Sequence, residues 1–145
     1  MTYLDSNIYG PWYWNFLYTI ALIYPNNPND TIIKKYYDLI INFPLFIPNQ
    51  EHANNFSRFL DLYPVQPYLS CKESLVKWVW FIHNKINIFM GKPEMSYYNA
   101  MNNYYENYKL KDIKKRDESK NKHKFILATV IILLIILILL LYYNK

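Results

Sequence analysis

The chain has 145 residues, which is enough for one small domain and an appended segment. It contains only two glycines, which argues against the glycine-rich phosphate-binding loops of P-loop and Rossmann proteins. Residues 1–108 carry a net charge of −1, whereas residues 109–124 carry 8 Lys/Arg against 3 Asp/Glu. Because the basic charge is confined to one short segment, we predict no nucleic-acid partner for the domain. The single cysteine, Cys71, excludes an internal disulfide, and no metal site is predicted.

The first predicted helices are rich in aromatic and apolar residues. Helical spacing is clear over Pro11–Tyr24, and Pro25 is expected to end this helix. A second helix is predicted over Thr31–Asn42, with Asp30 as its N-cap. The apolar face of the first helix consists of Trp14, Leu17, Ala21 and Tyr24.

A longer amphipathic helix is predicted in the middle of the chain, within Ser70–Pro93. Ser70 and Glu73 have the spacing of a capping box, and Gly91 with Pro93 forms a stop signal. One face is apolar and consists of Val79, Ile82, Ile86 and Phe89. A second stripe beside it consists of Trp80, His83, Asn84 and Asn87. If buried, these polar side chains need hydrogen-bond partners, because an unpaired one costs a few kcal/mol.

The order of residues in this helix resembles the flavin-binding helix of the Erv/ALR family of FAD-linked sulfhydryl oxidases. The pattern is a Trp five residues before His-Asn, a second Asn three residues later, and then Gly-Lys-Pro. The first helix resembles the entry helix of the same family through Gly10, Pro11, Trp14, Tyr24 and Pro25, while Tyr18 stands where the family has histidine. The resemblance implies an FAD cofactor bound by Gly10, Trp14, Tyr18, Trp78, His83, Asn84, Asn87 and Lys92.

The resemblance fails at the redox end of the family's site. Active members have Pro-Cys-x-x-Cys there, followed by Ala and then Phe. Alignment on Ala53 and Phe56 puts Asn49 and His52 at the two cysteine positions, so no catalytic residue is assigned. Asn49 is predicted instead to be the N-cap of a helix over Gln50–Leu62. His52 is predicted to be a surface or pocket-lining residue.

Cys71 is the only sulfur nucleophile that could replace the missing pair. It is expected in the first turn of the central helix, next to Lys72, where its pKa could be lowered. A lone cysteine is more often inert than reactive. A fifth helix is predicted over Ser96–Leu110 with Ser96 as N-cap, and Tyr97 or Tyr98 could close the flavin pocket.

The C-terminal part is predicted to be a membrane anchor. Residues 109–124 form a basic charged linker, and Phe125–Tyr143 is a run of 19 residues without a charge. At about 1.5 Å per residue this run spans roughly 28 Å, close to the thickness of the hydrocarbon core. The positive residues before the run predict a single-pass tail anchor with the N-terminal domain on the cytosolic side.

The predicted architecture is therefore all-α: a five-helix Erv/ALR-like bundle over residues 1–108, the linker, and one transmembrane helix over residues 125–143.

The leading hypothesis is a membrane-anchored homologue that lacks dithiol oxidase chemistry, with or without FAD, and acts by binding a partner. That partner is expected to be a second copy or a related oxidase, because the family dimerises. Two alternatives are an active thiol oxidase that uses Cys71 or a partner's cysteines, and a cofactor-free adaptor. Asn, Ile, Lys and Tyr are abundant, as expected of an AT-rich genome. Large DNA viruses often combine this amino-acid bias with this fold and a tail anchor, so a viral or host internal membrane is expected by association.

Overall fold

The computed structural model describes residues 4–109 and 111–143, and all regular structure within them is helical. The six α-helices are α1 (Ser6–Leu22), α2 (Asp30–Asn42), α3 (Gln50–Leu62), α4 (Lys72–Phe89), α5 (Tyr97–Glu106) and α6 (Lys111–Tyr143). Short 3₁₀ turns lie at Phe43–Phe46 and Gln66–Tyr68. Residues 1–104 and residues 105–145 form two separate units. The predicted all-α class, with five helices followed by a long apolar one, is confirmed.

The core of the first unit lies between α1 and α4. The shared buried residues are Leu17, Ala21 and Tyr24 from the α1 segment and Leu75, Val76, Trp78, Val79 and Ile82 from α4. The hydroxyl of Tyr24 donates to the backbone carbonyl of Leu69 at 2.8 Å, which fixes the end of α1 to the loop that enters α4. Phe89, which was predicted to share the apolar face of α4, is 43% exposed. It lies in the last turn of the helix, where it contacts the ring of Phe59.

Two predicted helix caps are correct. The side chain of Asn49 accepts a hydrogen bond from the backbone N–H of His52 at 3.0 Å, and α3 begins at the next residue. The hydroxyl of Ser96 accepts from the backbone N–H of Asn99 at 3.1 Å, at the start of α5. That helix ends at Glu106, and Leu110, its predicted last residue, lies outside the described residues.

Three predicted helix starts are wrong. The N-cap of α2 is Asn29, whose side chain accepts from the N–H of Ile32 at 2.9 Å, while Asp30 is already helical. The capping box at Ser70 does not form, because α4 begins at Lys72 and Cys71 occupies the N-cap position without a side-chain capping bond. Helix α1 begins five residues before Pro11, since Asp5 accepts from the N–H of Asn7 at 2.8 Å and caps an earlier turn.

The second unit contains α6, a single helix of 33 residues. Its apolar part has a mean hydropathy of 3.4 and no buried residues. Within the described part of the chain, this is the one helix long and apolar enough to cross a membrane. The basic residues from Lys111 onward belong to the same helix, so the charged segment continues into the apolar run without a break.

Candidate functional site

An indole, a phenol and an imidazole meet where α1 packs on α4. Trp14 and Tyr18 are four residues apart and so lie on one side of α1. The rings of Trp14 and His83 are stacked, with centroids 4.0 Å apart and 15° between their planes. The hydroxyl oxygen of Tyr18 lies 3.2 Å from Nδ1 of His83. Three residues that sequence analysis assigned to the cofactor site thus lie together, and we call them the imidazole cluster.

The imidazole cluster is uncharged at neutral pH. Burial, and to a smaller extent the nearby positive charge of Lys92, lowers the pKa of His83 from 6.5 to about 4. Burial also raises the pKa of the Tyr18 phenol, and Tyr97 adds to this effect. The hydrogen bond between the two side chains is therefore a bond between neutral groups. A neutral imidazole stacked on an indole presents a flat, weakly polar surface.

Asn84, the next residue along α4, is occupied by a structural contact. Its Nδ2 donates to the backbone carbonyl of Met95 at 2.8 Å, and its Oδ1 accepts from the backbone N–H of Met95 at 2.9 Å. The indole N–H of Trp80 donates to the same carbonyl at 2.8 Å. These three bonds, which we call the Met95 clamp, hold the segment after α4 against the helix. They supply partners for two side chains of the predicted polar stripe, Trp80 and Asn84.

Asn87 and Lys92 complete the polar side of the site. Asn87 is only 8% exposed, and among the described residues no hydrogen bond involves its carboxamide. Its backbone carbonyl accepts from the N–H of Lys92 at 2.8 Å, across a turn in which Gly91 has φ +69°. Among the described residues no side-chain N or O atom is both buried and unpaired, so the Asn87 carboxamide reaches solvent at the surface of the site. A carboxamide that no protein group occupies is available to a ligand. Lys92 is exposed and lies close enough to His83 to affect its charge.

Trp78 and Gly10, the other two predicted cofactor residues, are placed differently. Trp78 is 1% exposed inside the core, and its N–H donates to the backbone carbonyl of Tyr63 at 3.1 Å. Its only polar atom is therefore already used. Gly10 has open space where a Cβ would be, so no close approach within the protein requires glycine there.

The two positions of the missing cysteine pair have other roles in this structure. Asn49 caps α3, and Nδ1 of His52 lies 3.1 Å from the hydroxyl of Tyr9 on α1. Cys71 is half-buried at the start of α4, where its thiol donates to the Ser74 hydroxyl at 3.5 Å. The pKa of Cys71 is lowered because the hydroxyl and the backbone N–H of Ser74 can donate hydrogen bonds to the thiolate. His83 is twelve residues further along the same helix, which places it about 18 Å away along the helix axis.

Two participants were missed by sequence analysis. Tyr9 pairs with His52, and Met95 contributes backbone groups to the clamp. Neither has a motif of its own, because one contact joins distant segments and the other uses main-chain atoms that every residue has.

Comparison with known proteins identifies the family. A sequence model of the Erv1/Alr family matches residues 11–118, which is most of the chain. The protein belongs to the Erv1/Alr family. A relative from Acanthamoeba polyphaga mimivirus, named a probable FAD-linked sulfhydryl oxidase, is 35% identical over 95 residues. The mitochondrial FAD-linked sulfhydryl oxidase erv1 of Schizosaccharomyces pombe is 31% identical over 80 residues.

These relatives are longer than the matched region. The matches cover 65% and 55% of this chain, and 64% and 44% of the two relatives. The fold is similar to that of the yeast Erv1 core, with a TM-score of 0.62, 23% identity, and coverage of 75% of this chain and 87% of that one. The FAD-binding domain of Erv1 from Saccharomyces cerevisiae gives a TM-score of 0.61 at 23% identity, and the match covers 72% and 93% of the two chains. At this identity the structures establish the shared fold.

The candidate site has side chains of the kinds that a flat, anionic cofactor needs. Trp14 and His83 offer ring faces, Asn87 offers an uncommitted carboxamide, and Lys92 offers an exposed positive charge. Because Trp14 and His83 are already in van der Waals contact at 4.0 Å, a cofactor ring would have to lie beside this pair and not between its two rings. In their chemistry, these side chains fit a dinucleotide such as FAD.

Proposed function

We propose that this protein is a membrane-anchored, FAD-binding Erv1/Alr protein that lacks dithiol oxidase activity and acts by binding a partner. The proposal rests mainly on the two positions where active members of the family have their cysteine pair. Asn49 and His52 are engaged as a helix cap and in a hydrogen bond to Tyr9, and neither contains sulfur.

Dithiol oxidation by exchange needs two sulfur atoms. One thiolate attacks the substrate to form a mixed disulfide, and a second thiol resolves it. The chain has one cysteine, and that cysteine lies about 18 Å along α4 from His83. A route through Cys71 would therefore lack both the resolving sulfur and contact with the imidazole cluster.

FAD, when bound, supplies two-electron redox chemistry. The contribution of this chain would be binding and orientation: Trp14 and His83 by their ring faces, Asn87 by hydrogen bonding, and Lys92 by its charge. The Met95 clamp would act indirectly, because it fixes the segment that follows Lys92.

The test of cofactor binding is the visible flavin spectrum of the purified full chain in detergent. We expect a bound flavin band that is lost in His83→Ala and kept in the matched control His123→Ala, whose exposed imidazole lies on α6. A colourless protein that also fails to take up added FAD would contradict the proposal and favour the cofactor-free adaptor. An unchanged flavin content in His83→Ala would refute the assignment of the site.

The partner surface is proposed on the outer face of α1. Ile8, Trp12 and Phe16 recur at four-residue spacing, are exposed, and form a continuous apolar stripe. Beside the stripe is a cavity of about 360 Å³ lined by Trp12, Tyr13, Phe16, Leu39, Phe43 and Phe46. Exposed aromatic residues around an apolar cavity are typical of protein interfaces. The proposed occupant is a second copy of this chain or a related oxidase of the same fold.

The oligomeric state of the full chain tests this surface. Trp12 is 71% exposed, so Trp12→Glu should leave the fold intact while it breaks a dimer seen by light scattering or cross-linking. Leu62→Glu is the matched control, because Leu62 is also exposed but lies on α3. Equal dimerisation of the Trp12 variant and the wild type would show that this face is not the interface.

Membrane anchoring by α6 completes the proposal. Eight Lys/Arg lie within the sixteen residues 109–124 that precede the apolar run, so the domain is proposed to stay on the cytosolic side. Asn29 and Asn55 lie in glycosylation acceptor sequences and report on this orientation. We expect neither to carry a glycan in cells, and a glycan on either would place the domain on the lumenal side.

A further inference from the structure

The last two turns before the apolar run of α6 carry basic residues and no acidic ones. Residues 119–124 contain Lys120, Lys122 and Lys124 and no Asp or Glu, and all three lysines are exposed. The nearest acidic residue is Glu118, one position earlier. We call residues 119–124 the basic collar.

The continuous helix fixes the distance between the basic collar and the membrane. Because α6 runs unbroken from Lys111 to Tyr143, each residue lies about 1.5 Å further along the axis. Lys124 is therefore about 1.5 Å from Phe125, and Lys120 about 7.5 Å. The headgroup layer on one side of a bilayer is roughly 5–7.5 Å deep, so Lys120 reaches its outer edge. All three lysines thus lie at the level of the headgroups when Phe125 stands at the edge of the hydrocarbon core.

The lysines do not share one face of the helix. Lys120 and Lys124 are four residues apart and lie on the same side, together with Arg116. Lys122 is two residues from both and so lies on roughly the opposite side. A protein partner that covered one face would leave part of this charge unpaired. A surrounding layer of anionic headgroups can pair with all of it.

We propose that the basic collar binds the headgroups of anionic phospholipids, so that the anchor prefers lipid such as phosphatidylserine around its cytosolic end. This inference rests on the proposed membrane anchoring and adds the lipid class. Each basic residue close to an anionic leaflet raises the binding constant by about fivefold at physiological salt. The effect decays over a Debye length of about 8 Å, which confines it to the collar.

The experiment uses the full chain in phosphatidylcholine liposomes. Spin-labelled phosphatidylserine or phosphatidylcholine is added as a probe, and electron paramagnetic resonance measures the fraction of each probe that the protein immobilises. We expect several-fold stronger association of phosphatidylserine, and a ratio near one in K120Q/K122Q/K124Q. Salt at roughly 1 M, where the Debye length is about 3 Å, should also reduce the ratio.

The matched control is K111Q/K114Q/K115Q, which removes the same charge from an earlier part of α6. These three positions lie about 15 to 21 Å from Phe125 along the helix axis. This variant should keep most of the phosphatidylserine preference. Equal probe association with wild type, an unchanged ratio in the collar variant, or an equal loss in the control would each overturn the proposal. Alkaline extraction of the same liposomes reports separately on anchoring: release of the protein would refute the proposed membrane span itself.

Discussion

Acid should destabilise the domain through one buried side chain, His83. The pKa of His83 is lowered from 6.5 to about 4 in the folded chain, so between these values the unfolded chain binds a proton that the folded chain does not. The free energy of unfolding is therefore not reduced by this residue above pH 6.5, and it decreases as the pH falls from 6.5 toward 4. The shift corresponds to about 3 kcal/mol, which is a large fraction of the stability of a small domain.

The assay is denaturant unfolding of the full chain in detergent at a series of pH values. All four tryptophans lie between residues 12 and 80, so their fluorescence reports on the helical domain alone. The wild-type free energy of unfolding should fall by up to about 1.4 kcal/mol per pH unit from this residue. In His83→Phe, which keeps a ring beside Trp14 but cannot titrate, this part of the slope should be absent.

The control for the pH effect is His123→Gln, which removes an exposed imidazole from α6. This variant should keep the wild-type pH dependence. Equal slopes for wild type and His83→Phe between pH 4 and 6.5 would refute the argument, because they would mean that His83 accepts a proton in the folded state without cost.

Three further substitutions test local parts of the structure. Asn84→Ala removes two of the three bonds of the Met95 clamp and should lower the free energy of unfolding by about 2 kcal/mol in urea titration, whereas a loss within error would show that these two bonds contribute nothing. Asn49→Ala should cost about 1 kcal/mol by the same method and Asn49→Ser much less, since serine also caps helices; equal losses would argue against capping. Gly91→Ala should cost about 1 kcal/mol in thermal unfolding, because φ is +69° there, and an unchanged midpoint would contradict the observed turn.

The sequence predicted the helices better than their first residues, and physical reasons explain the difference. Asn29 and Asp30 are both good N-caps, and only the backbone geometry decides that Asn29 is the cap. The pattern at Ser70 and Glu73 has the spacing of a capping box, yet the preceding 3₁₀ turn continues to Tyr68 and the helix begins later. At Asn49 no neighbouring residue competes, and the prediction is correct.

The candidate site was predictable only in part. The stripe from Trp80 to Asn87 was visible in the sequence, and the meeting of Trp14 with His83 followed from the family resemblance. The sequence did not show which of the two carboxamides, Asn84 or Asn87, would be left without a hydrogen bond to the protein. Asn84 is bound to backbone groups of Met95 and Asn87 is not, and a main-chain partner leaves no signal in residue identity.

Oxygen consumption with dithiothreitol as the electron donor tests the central claim most directly. The flavin-loaded full chain should oxidise dithiothreitol no faster than free FAD does, because no pair of sulfurs lies at the positions of Asn49 and His52. Asn49→Cys combined with His52→Cys should gain turnover if the cofactor site is intact. Rapid oxygen consumption by the unmutated protein, abolished by Cys71→Ser, would contradict the account and establish a thiol oxidase that works through its single cysteine.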